Sequence, residues 1–99
     1  MIVQRFTFRV KIGKMEEALE VGKEARRIWP GRSGRLYSSN VGPMNTLVFD
    51  NVAENMEELE KLWDQCKADD RWAPLIDRWR QLIAEEGPSE LWNLEEYDA

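Results

Sequence analysis

In the stretch Gln4 to Ile12 polar and apolar residues alternate one for one from Arg5 onward, so an extended chain carries Phe6, Phe8, Val10 and Ile12 on one face and Arg5, Thr7, Arg9 and Lys11 on the other. The first face is predicted core. At Gly13 the alternation stops and the apolar positions change to helical spacing: Met15, Ala18, Leu19, Gly22, Ala25, Ile28 and Trp29, with Glu20, Lys23 and Glu24 on the outer side. Pro30-Gly31 stops this helix, and the loop Arg32-Ser33-Gly34 follows. Strands are predicted over residues 35–41 and 44–49, joined at Gly42-Pro43 into a hairpin. Asn51 followed by Glu54 has the spacing of a capping box, which predicts that a helix begins there. Its stripe is Met56, Leu59, Leu62, Trp63 and Cys66, and Asp69-Asp70 closes it. A third stripe, Trp72, Leu75, Ile76, Trp79, Leu82 and Ile83, tolerates Pro74 because first-turn amides have no intrahelical partner, and it runs to Gly87-Pro88. A last strand over residues 89–94 precedes the acidic end Glu95-Glu96-Tyr97-Asp98-Ala99.

The order is βαββαβ with the second helix split in two, an α+β, ferredoxin-like pattern in which helices cover one face of an antiparallel sheet. With Phe6, Phe8, Val10, Leu36, Leu47 and Phe49 turned to the helices, the open face carries Arg5, Thr7, Arg9, Tyr37, Ser39, Thr46 and Val48. Ninety-nine residues make one domain, 1–99, able to close a single core.

Charge changes the picture more than composition does. The net charge of −5 divides into +4 over residues 1–50 and −9 over residues 51–99, so two parts of one domain attract each other or a partner's opposite half, or else present solvated helix faces. An RNA platform would need its aromatics on the open face. Turning Phe6 and Phe8 outward drives Arg5, Arg9 and Lys11 into the core, at several kcal/mol per unpaired charge, and nucleic acid is excluded as a partner. No apolar run approaches a membrane span and no signal-peptide core precedes the first strand, so a cytoplasmic protein is expected. Cys66 is the one cysteine and histidine is absent, which leaves no disulfide, thiolate cluster or imidazole ligand; no cofactor and no metal are expected.

Candidate chemistry lies on the open face. Arg5 and Arg9 share one strand face with Thr7 between them, roughly 13 Å apart by strand rise, and their forked donors suit one anionic group or two ends of a dicarboxylate. Pairing with a partner's acid, or solvent, is the plainer role. Tyr37 adds a ring and a phenolic donor, and Thr7, Ser39 and Thr46 add hydroxyls, either to a ligand or to a hydrated seam. Trp29, Trp63, Trp72 and Trp79 fall on the helical stripes as core, with Trp63 and Trp79 also able to wall an aromatic-ligand cavity. Trp92 has apolar neighbours at both parities and its face is open. Cys66 reads as a buried small hydrophobe, and Asp69-Asp70 as a helix end.

Lys14-Met15-Glu16-Glu17-Ala18-Leu19, the hairpin Val41-Gly42-Pro43-Met44-Asn45-Thr46-Leu47-Val48-Phe49 and the tryptophan-bearing split helix resemble the dimeric α+β barrel superfamily, NIPSNAP-like proteins in particular, over nearly the whole chain. The resemblance implies a homodimer whose two sheets pack open face to open face, with a cavity between sheet and helices or inside the barrel. It brings no catalytic residues with it. The superfamily spans haem-degrading enzymes, lactone isomerases, stress-responsive barrels and cofactor-independent monooxygenases of antibiotic biosynthesis, so the fold does not decide the chemistry. The haem branch needs an axial histidine that this chain lacks. Tyr37, Asn40 and Trp92 are of the types a cofactor-independent monooxygenase uses. The expectation is a NIPSNAP-like homodimer, its partner a second copy through the open face, with a small anionic or aromatic ligand between the sheets; the monooxygenase is the alternative, and enzyme or non-enzymatic module stays undecided.

Overall fold

Strand β1, Ile2–Val10, runs through the middle of the sheet and splits it by parity. The computed structural model describes residues 1–31 and 34–96. Of the expected loop and acidic end, Arg32, Ser33, Tyr97, Asp98 and Ala99 lie outside the described residues. After β1 come α1 (Met15–Ile28), β2 (Gly34–Ser38), β3 (Thr46–Ala53), α2 (Met56–Ala68), α3 (Trp72–Leu82), β4 (Ile83–Glu86) and β5 (Glu90–Asn93). The sheet is antiparallel in the order β2-β3-β1-β4, with β5 also on β1. β4 pairs the Phe8–Val10 half of β1 and β5 the Ile2–Arg5 half. Between them the Gly87 amide donates to the Thr7 carbonyl at 2.8 Å, so the two short strands form one interrupted edge. This is the α+β, ferredoxin-like arrangement with a split second helix.

All three helices cover one face. Phe8 meets Trp79 and Phe49 edge-on, with ring centroids 5.2 and 5.7 Å apart, and Phe6 meets Trp63 at 5.9 Å. Edge-to-face geometry of this kind adds about 0.5–1.5 kcal/mol per pair to area burial. Val10, Leu47 and Phe49 are buried, and Leu36 packs against the same core. α1 approaches the sheet closely at Gly22, where an added Cβ would stand 3.1 Å from Leu36 and 3.3 Å from Phe49.

Polar groups inside the core are joined to one another. Gln4, at the parity of Phe6, accepts from the Trp63 indole at 2.7 Å, and Asn51, at the parity of Phe49, accepts from the Arg26 guanidinium at 2.7 Å. Cys66 is buried, which pushes its thiol pKa up and keeps it neutral. At the α2–α3 junction the Asp69 carboxylate accepts from the Arg71 amide and guanidinium, chiefly the latter, and is held at about 2.

Several boundaries differ from the sequence reading. β1 ends at Val10 and Ile12, expected on the core face, is 91% exposed in the turn before Gly13, whose φ is +81°. β2 starts at Gly34 and ends at Ser38, short of the expected residue 41, and β3 begins at Thr46 and continues through Ala53. Asn51 is therefore a buried strand residue, and the helix cap is Asn55, whose side chain accepts from the Glu58 amide at 2.9 Å. The same Asn-to-Glu spacing recurs four residues on, where sheet pairing no longer competes. Ile83–Glu86 is strand and not helix, because residues opposite β1 gain ladder hydrogen bonds that a continued helix would forgo.

Asn55→Ala should lower stability in urea unfolding by about 1 kcal/mol, the ordinary value of an N-cap. Asn51→Ala, which removes a buried acceptor from a cation, should cost about 1–3 kcal/mol. A neutral Asn55→Ala would move the helix start elsewhere.

Candidate functional site

The sheet offers two faces with different chemistry. On the open face Arg5 forms a forked pair with Asp50, Nε to Oδ1 at 2.7 Å and Nη2 to Oδ2 at 2.9 Å. The two are direct cross-strand neighbours, and Arg35 is opposite Asp50 from β2. The hydrogen bonds from Arg5 hold the Asp50 carboxyl below its ordinary range against the opposing effect of burial, with Tyr37 and Arg35 acting in the same direction as Arg5. Arg9 pairs with Glu85 at 2.8 Å in a solvated setting. Thr7 is half-buried opposite Val48, and Tyr37, opposite Val48 from the other side, is exposed. Thr46 is buried, its hydroxyl donating to the Met44 carbonyl at 3.0 Å. Ser39 falls just beyond β2, its amide donating to the Thr46 carbonyl. Thus Arg5, Thr7, Arg9, Tyr37 and Thr46 share a face, with Ser39 at its margin. Trp92, opposite Val3, joins this face and is 53% exposed. Asn40 stands in the loop after β2.

The other face encloses a cleft of about 320 Å³. Its floor is Phe6 and Phe8 of β1, Phe49 and Asn51 of β3, and Glu86 of β4. Over it stand Ala25 and Arg26 of α1 with Trp29 at its C-cap, Trp63 of α2, and Trp72, Leu75, Ile76, Trp79 and Arg80 of α3. The α3 contribution follows from helical spacing, which puts residues three, four, seven and eight apart on one side. The rings are mutually edge-on: Trp63 lies 4.9 Å from Trp29 and 5.7 Å from Trp72, and Phe49 lies 5.4 Å from Trp79. The volume is at the small end of the roughly 300–1,000 Å³ usual for ligand sites.

Arg26 is the one charged residue within the cleft wall that is largely withdrawn from water, and burial lowers its pKa. A guanidinium nevertheless stays protonated. Its Nη1 donates to the Asp50 carbonyl at 3.1 Å as well as to Asn51, and its carbon lies 5.2 Å from the Phe49 ring centre and 5.8 Å from that of Trp29. Sequence reading passed over Arg26 and Asn51. A signal was present for the first: Arg26 is four residues after Gly22 and three before Trp29, within the apolar stripe of α1. Asn51 was hidden by its resemblance to a cap. Among the described residues no group of three or more Cys, Asp or Glu side chains is placed to hold a metal, and no helix is long and apolar enough to cross a membrane.

No protein-family model matches the sequence, and no curated protein matches it. Solved structures do match. An uncharacterised NIPSNAP domain protein from Burkholderia xenovorans superposes with a TM-score of 0.81 at 19% identity, over 100% of this chain and 99% of that one. A NIPSNAP family protein from Agrobacterium tumefaciens gives 0.82 at 19%, over 97% and 94%. SnoaB, a cofactor-independent oxygenase from Streptomyces nogalater, gives 0.72 at 16%, over 97% and 94%. The fold is that of NIPSNAP domain and antibiotic-biosynthesis-monooxygenase-like α+β proteins.

Asp50 makes stability pH-dependent in a defined direction. Its folded pKa is lowered, so the unfolded chain takes up the proton first. The contribution is complete above the ordinary carboxylate value of about 4 and is lost as pH falls through the folded value. Asp50→Asn should therefore lower the thermal midpoint at pH 7 and flatten its acid dependence. A wild type and variant that lose stability in parallel below pH 4 would assign the acid sensitivity to other groups.

Proposed function

We propose that this chain, which has the fold of NIPSNAP domain proteins, is a homodimer joined through the open face of its sheet, and that each subunit takes a small aromatic molecule into the helix-side cleft. The observation that carries the ligand reading is the cleft itself: rings from β1, β3, α2, α3 and the C-cap of α1 converge on one space. The rings pack edge to face as core aromatics do, yet leave about 320 Å³ of space between sheet and helices, walled mostly by apolar and aromatic side chains with a few polar groups, as small-molecule sites are.

Arg5, Thr7, Arg9, Tyr37, Ser39 and Thr46 are assigned to the seam between subunits, not to a ligand between the sheets. Arg5 and Arg9 already have acids, Asp50 and Glu85, within their own chain, so a ligand anion there would have to displace a carboxylate. Exposed Tyr37 and Trp92 give that face apolar surface to bury against a second copy. The fold shared with SnoaB supports a second reading, a cofactor-independent oxygenase, in which the same cleft holds an electron-rich aromatic substrate; oxygen uptake with polycyclic phenols as probes distinguishes it from binding alone.

Titration with naphthalene derivatives should quench or shift tryptophan fluorescence saturably, and Ala25→Leu, which fills the cleft, should abolish the response. An identical response in that variant would place the ligand elsewhere. In sedimentation equilibrium the chain should run at twice its 11.7 kDa mass, and Trp92→Glu should shift it toward the monomer. A wild type that is monomeric at micromolar concentration would remove the seam.

A further inference from the structure

The cleft wall contains a half-buried positive charge that has no ion-pair partner among the described residues. Arg26 spends Nη1 on two uncharged acceptors, the Asp50 carbonyl and the Asn51 side chain. Its Nε is shut off from water and has no acceptor among the described residues. Asp50, whose backbone carbonyl Arg26 reaches, turns its carboxylate to the opposite face of the sheet, where both oxygens are taken by Arg5, and that carboxylate acts on Arg26 only through space. Among the described residues Arg26 makes no salt bridge. The Trp29 and Phe49 rings offset part of the cost through their negative faces. They do not replace an anion, because a ring quadrupole stabilises a cation less than a charge-assisted hydrogen bond does.

A partly desolvated cation without an ion-pair partner is costly to the folded chain, and its cost falls when an anion is brought beside it. The charged groups facing the cleft are two guanidinium groups, Arg26 and Arg80, against one carboxylate, Glu86. Glu86 and Arg80 are exposed, while Arg26 sits deeper among the rings. The cleft is thus apolar and aromatic over most of its wall, with its one desolvated charge positive.

Resting on the reading of this cleft as a ligand site, we infer that its ligand is an aryl carboxylate, the ring seated between the tryptophans and phenylalanines and the carboxylate directed to the Arg26 guanidinium. Ring and anion are required together. An aliphatic acid lacks the stacking surface, and a neutral arene leaves the guanidinium as it stands in the empty cleft.

Three probes of similar shape test this by tryptophan fluorescence and calorimetry on the full chain: 2-naphthoate, 2-naphthalenemethanol and cyclohexanecarboxylate. The naphthoate should bind about tenfold or more tightly than the alcohol, the margin of one charge-assisted hydrogen bond, and the cyclohexane acid should bind weakest. Arg26→Gln should bring naphthoate down to the alcohol's affinity while leaving the alcohol unchanged, and Arg26→Lys should retain part of the difference. Equal affinities for naphthoate and alcohol in the wild type overturn the carboxylate assignment and leave the aromatic cleft standing. Binding of none of the three overturns both. Should Arg26→Gln fail to fold, the wild-type ratio decides alone, with Arg80→Gln as the second variant: a loss of the naphthoate preference there would transfer the anion to Arg80 and overturn the assignment to Arg26.

Discussion

The parity of β1 is the constraint on which the rest of the molecule depends. Every residue on this central strand has a side chain committed to one face, and a one-residue slip would put Arg5, Thr7 and Arg9 under the helices and Phe6 and Phe8 in water. The register is locked further by pairs that work only in this alignment: Arg5 against Asp50, Phe6 against Phe49, Phe8 against Leu47. Charge and ring positions are separated by the thickness of one strand. Two kinds of surface therefore lie back to back, a polar sheet face bearing two ion pairs, one of them forked, and an aromatic cleft under the helices.

β3 connects them. Asp50 directs its carboxylate to the open face and its carbonyl to Arg26, while Asn51, the next residue, directs its side chain to the cleft. Neighbouring residues of one strand thus hold the guanidinium of each face, Arg5 on one and Arg26 on the other. The same carboxylate that satisfies Arg5 is withheld from Arg26 by strand geometry, since successive side chains point to opposite sides. That division leaves a cation in the cleft without an acid, and it follows from the sheet itself.

Much of this was legible in the residues, and the failures have physical causes. Alternation along β1 and helical spacing along α1, α2 and α3 reflect burial of one face, a local periodic property, and they placed nearly every core residue. Asn51 was misread because asparagine three residues before glutamate serves a helix cap equally well wherever the chain is free to start a helix, and here the chain was not free: residues 50–53 were already paired with β1. The sequence pattern carries Ile83–Glu86 into a helix because Ile83 continues the stripe of Leu75, Ile76 and Trp79, and because four residues at a sheet edge are too few to show a period of their own. Trp92 could not be assigned until β5 was seen opposite Ile2–Arg5.

The sequence by itself determined the order of elements, the faces of β1 and the class of fold, because each of these is set by the spacing of apolar side chains within a single segment. Only the tertiary structure decided which charges meet. Whether Arg5 finds an acid, and whether Arg26 does not, depends on strands forty residues apart coming into register and on a helix crossing them at Gly22, a long-range geometry that no local pattern encodes.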